Sequence, residues 1–113
     1  MNEYDWTKEF PSAITVCSVD GLLLEMDDKA AENLAQDGGR LLLGNNILDC
    51  HPQAARTKTE HMLASAARNV YSIEKNGLRK LIFQSPWFKY GHYAGLVELS
   101  LEIPDEIPHF IRS

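Results

Sequence analysis

Cys50-His51-Pro52 is the most unusual local grouping in this 113-residue chain, because it sets a thiol and an imidazole side by side. Either group could serve as an axial ligand to haem iron, which accepts both imidazole and thiolate. Cys50 could also be a redox or modification site. Pro52 suits the first turn of a helix, and a helix N-terminus helps to lower a thiol pKa. A plainer role is available to the same residues: Pro52 starts the helix, Cys50 packs as a small apolar residue, and His51 caps or faces solvent. The second grouping is Gln84, Ser85 and Trp87 around Pro86. A Gln and a Trp at the margin of a pocket would orient a polar ligand. The alternative is that Trp87 closes the end of the core while Gln84 satisfies backbone released by Pro86. Cys17 stands in a run of β-branched residues and reads as a buried, inert thiol.

Other chemistries find no pattern to rest on. Ser, His and Asp are all present, yet there is no GxSxG elbow and no HExxH helix. His51, His61, His92 and His109 are scattered without metal-ligand spacing, and no CxxC pair occurs. GxGxxG and GxxxxGK[ST] are also missing, so nothing cradles a nucleotide phosphate. The chain reads as non-enzymatic and without a metal site. With 44% apolar and 24% charged residues it can build a core, and its length fits one domain. A net charge of −5 without clustered Lys and Arg argues against nucleic-acid binding. There is no 18-residue apolar run, and the opening MNEYDWTKEF is acidic and polar, unlike a secretory signal. The expectation is a cytoplasmic domain that does not enter a membrane.

The elements that must position these residues can be read from period and turn chemistry. Asn2 to Phe10, with Tyr4, Trp6 and Phe10 and closed by Pro11, reads as a short helix or arm. Ile14 to Val19 and Leu22 to Met26 read as strands joined through Asp20-Gly21. Asp27 or Asp28 is the N-cap of a helix from Lys29 to about Gln36, which Gly38-Gly39 stops. Leu41 to Leu43 and Ile47-Leu48 suit single turns. A further helix runs from near Pro52 to about Ala67 and buries Ala55, Met62, Leu63 and Ala66. Asn69 to Lys75, Asn76-Gly77 and Leu78 to Phe88 form the clearest hairpin. Its two-residue type I′ loop sets Glu74 opposite Arg79, Tyr71 opposite Ile82 and Val70 opposite Phe83. Pairing should be disturbed near Pro86. After a turn at Tyr90-Gly91, Tyr93 to Ile103 alternates cleanly. Val97, Leu99, Leu101 and Ile103 share one face, and Glu98, Ser100 and Glu102 form a wet one. The order predicts an α+β domain: an antiparallel sheet of about five strands with short helices on one face.

That order resembles the PAS sensor domain. AITVCSVDGLLLEMDDKAAENLA is similar to the opening PAS strands and first helix, and LLLGNNILDCHP to the segment before the short central helix. NVYSIEKNGLRKLIFQSPWF and YAGLVELSLEI are similar to the three closing strands. The resemblance covers residues 12–104, leaving 1–11 as an arm and 105–113 as a tail. Many PAS domains carry Asn where Asp27 stands, so no role of that Asn is carried over. CHP together with QSPW and IPxxIPHF resembles a bacterial subgroup of PAS modules, some of which accompany hemerythrin-like domains.

The resemblance implies a pocket between the helices and the inner sheet face, used in PAS domains for haem, flavin, small acids or metabolites. Cys50, His51, Gln84 and Trp87 are the candidate ligand-binding residues. The Asn-Cys-Arg-Phe core of flavin photoreceptors is absent. PAS domains also commonly dimerise through an N-terminal helix and the outer sheet face. In this sequence the closing hairpin is apolar on both faces: Val70, Leu81 and Phe83 on one, Tyr71, Ile73 and Ile82 on the other. Either the segment with Trp6 and Phe10 or a second subunit must cover the excess. The expectation is a homodimer through Trp6, Phe10, Tyr71, Ile73 and Ile82. The implied function is a bacterial, non-enzymatic sensory module that binds a small ligand or a protein partner, with its output on another chain. The alternative is a haem or redox sensor using His51 or Cys50. A small enzyme of hotdog or cystatin type would place a long helix directly before the sheet, and the early Asp20-Gly21 hairpin opposes that order.

Overall fold

The computed structural model describes residues 5–50 and 53–113, and for residues 49, 50 and 53–55 it describes the backbone alone. The first hairpin joins β1 (Ser12–Ser18) to β2 (Leu23–Met26). Gly21 takes φ +87 at its tip, and the Leu22 N–H donates to the Ser18 hydroxyl. A register shift between Val16 and Cys17 makes the connection wider than a two-residue Asp-Gly turn. The edge of β2 is not left open. The Leu23 N–H donates to the Asn45 carbonyl, and the Gly44 N–H donates to the Leu23 carbonyl.

Helix α1 (Asp28–Asn33) starts at Asp27, whose Oδ1 accepts from the N–H of Ala30 at 2.9 Å and of Ile14 at 3.0 Å. One buried carboxylate thus caps the helix and ties it to β1. The helix is shorter than its apolar period suggests. Beyond Leu34 the chain tightens into a 3-10 turn at Ala35–Asp37 and stops at Gly38, φ +118. Two more 3-10 turns, Gly39–Leu42 and Ile47–Cys50, lead to α2 (Gln53–Ser65). Pro52 and the helix start expected there lie outside the described residues.

Strands β3 (Asn69–Lys75), β4 (Leu78–Lys89) and β5 (His92–Ile103) complete a five-stranded antiparallel sheet in the order β2-β1-β5-β4-β3. Asn76 and Gly77 both take positive φ, and the pairing is the one a two-residue turn dictates, from Lys75–Leu78 to Asn69–Gln84. Arg79 and Glu74 form the cross-strand ion pair, at 2.9 Å. The irregularity expected at Pro86 falls later, between Trp87 and Phe88. Since β3 ends opposite Gln84, β4 has one neighbour at Pro86, and a missing donor is tolerated on such an edge.

Two clusters make the core, both on one face. Ala13, Leu23 and Met26 pack against Ala30 of α1, and Cys17 and Leu96 pack against Met62 and Leu63 of α2. Strand alternation then places Thr15, Gln84 and Glu98 on this helix-covered face, in the row between Cys17–Leu96 and Ala13–Ser100. The wet face expected for Glu98 is therefore the face under the helices. Val97 and Leu99 stand on the opposite side, with Ile14 and Val16 of β1 and Leu81 and Phe83 of β4. No helix among the described residues is long and apolar enough to cross a membrane.

Candidate ligand-binding cavity

A cavity of about 340 Å³ lies between the helix layer and the sheet. Its sheet wall comes from β1 (Thr15, Cys17), β4 (Gln84) and β5 (Leu96, Glu98). Leu34, Leu42 and Ile47 from the helix and turn segments close the other side. Asp37 and Asn45, both exposed, stand at its rim. The segment carrying Ile47 is fixed by Asn46, which donates to the Asp20 carbonyl and accepts from the N–H of Leu48.

The wall is polar where a core would ordinarily be apolar. Asn69, Gln84, Glu98 and Thr15 occupy one row across β3, β4, β5 and β1. The Asn69 amide donates to Gln84 Oε1 at 2.9 Å, and Gln84 Nε2 donates to Glu98 Oε1 at 2.6 Å. Glu98 is half-buried and meets no cation among the described residues. Its charge is felt nearby. Burial pushes the Cys17 thiol up and Glu98 pushes it further, against a hydrogen bond from the Leu96 backbone. The Tyr71 hydroxyl is raised by burial first and by Glu98 second.

Of the expected ligand-binding residues, Gln84 lines the cavity. Trp87 does not stand in its wall: its indole donates to the Cys17 carbonyl at 3.0 Å, at the end of the sheet where Trp87 pairs with Gly95. The side chain of Cys50, and His51 altogether, lie outside the described residues. Cys17 is buried as expected, but it borders the cavity. Glu98, Thr15 and Asn69 were not expected at a site. A signal for them exists: continuing the Asn76-Gly77 register one pair past Val70–Phe83 sets Asn69 opposite Gln84.

The expected interface residues separate. Tyr71 and Ile73 lie on the helix-bearing side of β3, exposed at the sheet edge, with the Lys58 ammonium 5.3 Å from the Tyr71 ring centre. Ile82, on the same side, is only 6% exposed and is taken up within the chain. It offers a partner little surface. Trp6 and Phe10 stack edge to face at 5.4 Å and remain largely exposed.

No family model matches the sequence, and a comparison with curated proteins finds no match. Solved structures do match. A sensory box sensor histidine kinase from Vibrio cholerae superposes with a TM-score of 0.65 at 12% identity, over 91% of this chain and 90% of that one. The PAS domain of BvgS from Bordetella pertussis gives 0.63 at 17% identity, over 88% of this chain and 82% of that one. This is a PAS fold. A third PAS structure, the Aer2 receptor of Vibrio cholerae, described as a dual PAS-haem oxygen sensor, gives 0.58 at 14% identity, covering 82% and 95%. In the PAS fold of this chain the cavity lies between the helices and the helix-bearing sheet face, where the sequence resemblance implied a pocket.

Proposed function

We propose that this chain is a non-enzymatic sensory module of the PAS type, which binds a small molecule in the cavity and passes its occupancy through the sheet to a partner. The observation that carries this reading is the hydrogen-bonded polar row built into the helix-covered face. A sheet that had only to fold would gain from an apolar residue at position 98, because burying a carboxylate costs free energy. A binding wall is a use that offsets that cost. Glu98 sits on β5, between β1 and β4, so a change there reaches both neighbours. A ligand that prefers one arrangement of these strands shifts the population toward it. Two of the similar structures belong to named sensor proteins, which supports a signalling role. Burial keeps the Cys17 thiol protonated, and no described histidine lines the cavity to activate it as a nucleophile.

The face opposite the helices is assigned to a second copy of the chain. Ile14, Val16, Leu81, Phe83 and Leu99 form a half-buried apolar row there that no described helix covers, with residues 5–8 beside Ile14 and Val16 and the Arg68 guanidinium over the Phe83 ring. The haem reading rests on Cys50 and His51 alone. No histidine is among the described residues that line the cavity, and its one thiol, Cys17, is buried with its pKa pushed up, so the described lining gives that reading no ready axial ligand.

Native mass spectrometry tests the ligand reading. Protein purified from cells should carry an extra small mass that is lost on unfolding and refolding. A bare chain before and after incubation with a small-molecule extract would contradict it, and a Soret band in protein grown with haem would favour the haem reading.

A further inference from the structure

The direction of the hydrogen bonds in the cavity wall defines what the ligand must bring. The chain runs Asn69 to Gln84 to Glu98, with every amide N–H pointing toward Glu98. Gln84 cannot be turned over, because its oxygen would then face a carboxylate, which accepts hydrogen bonds and has none to give. The row therefore ends in an acceptor. Glu98 accepts from Gln84 and from no other described residue, so the cavity offers acceptor capacity and one uncompensated negative charge. The second charged residue at the cavity, Asp37 on the rim, is also negative, and no described Lys, Arg or His lines it. Leu34, Leu42, Ile47 and Leu96 make the aliphatic part of the surface, and the other polar side chains on it, Thr15, Asn45 and Asn46, are neutral. A volume of about 340 Å³ is at the small end of ligand sites.

We infer that the cavity selects a small organic cation, an apolar body with a protonated amine that donates to Glu98, and rejects carboxylates and phosphates. The inference rests on the proposed use of the cavity as a ligand site. An anionic head would have to sit beside Glu98 with no described cation to compensate either charge, and like charges at contact repel strongly where water is scarce. An ammonium head supplies both the missing donor and the missing charge, and charge-assisted hydrogen bonds are the stronger kind.

The test uses three probes with one ring and different heads: benzylammonium, benzyl alcohol and benzoate, added at millimolar concentration to the whole chain. Binding is read by calorimetry and by the shift in unfolding temperature. Benzylammonium should bind best and raise the melting temperature with dose, while benzoate should leave it unchanged. Glu98→Gln should weaken benzylammonium about tenfold, the loss of a hydrogen bond to a charged group, and should narrow the gap between the probes. Asp37→Asn, on the exposed rim and away from the sheet, should weaken it by a smaller factor, about twofold. This variant keeps the test open if the Glu98 variant folds poorly. Benzoate or the alcohol binding as well as benzylammonium, or benzylammonium binding unaltered in both variants, overturns the cation inference and leaves the cavity reading standing. None of the three binding overturns the cavity reading, and this inference with it.

Discussion

At the scale of single residues, Asp27 shows how one side chain can hold two elements. Its Oδ1 takes the N–H of Ala30 and the N–H of Ile14, while Oδ2 is buried without a partner among the described residues. Asp27→Ala loses a helix cap, about 1 kcal/mol. It also leaves the Ile14 N–H unpaired, about 1–3 kcal/mol more. Urea unfolding should therefore show a loss of about 2–4 kcal/mol, with Asp27→Asn losing less because its oxygen can keep both bonds. The raised groups give a pH prediction. Cys17, Tyr71 and Tyr93 are each held above their ordinary values, chiefly by burial. Between the unfolded and folded values the native chain keeps protons that the unfolded chain has released, so stability falls as pH rises. The loss begins near the free thiol value of about 8.5 and deepens toward the phenol value of about 10. Urea midpoints at pH 7.5 and pH 10 check it, and an unchanged midpoint would contradict these assignments.

Among the elements, the turns separate two kinds of glycine. Gly77 takes φ +78 in the β3–β4 turn, and a Cβ there would meet nothing within 4 Å. Gly77→Ala should cost only the left-handed conformation, about 1–2 kcal/mol. In a domain of this size that lowers the melting temperature by roughly 4–8 °C. Gly95 in β5 takes φ +145, and a Cβ there would come within 1.9 Å of the Cys17 carbonyl, the group that receives the Trp87 indole. Backbone meets backbone, with no flexible side chain to give way. Gly95→Ala should cost on the order of 4 kcal/mol or more, and thermal melts of the two variants side by side would show the difference. Equal losses at the two positions would mean that β1 and β5 can move apart, which their continuous pairing from Ser12–Leu101 to Ser18–Gly95 opposes.

For the whole molecule, the sheet is apolar on the side away from the helices and polar in the row beneath them. The proposed dimer follows from the first fact and the proposed ligand from the second. Leu99 lies between Phe83 and Ile14 at the middle of the outer face. Leu99→Glu should convert a dimer to a monomer in sedimentation velocity while leaving the circular dichroism spectrum unchanged, with Leu81→Lys as an independent variant on the same face. A wild-type chain that sediments as a monomer at micromolar concentration would refute the assignment of this face.

Local chemistry in the sequence determines the pieces whose geometry is local. Asn76-Gly77 sets the β3–β4 register through Asn69–Gln84, because a two-residue turn with both residues at positive φ allows one pairing. An acidic residue before an apolar helical period marks the cap of α1, and the order of elements points to the PAS fold. Tertiary structure alone decides which face of the sheet receives the helices. The alternation in β5 divides Val97, Leu99 and Leu101 from Glu98 and Ser100, but period 2 labels two faces without saying which is covered. Packing settled it through a few residues, Cys17 and Leu96 with Met62 and Leu63, and thereby carried Glu98 beneath the helices. The local alternation is satisfied by either face, so the choice fell to the long-range burial of Cys17, Leu96, Met62 and Leu63, which no local pattern encodes.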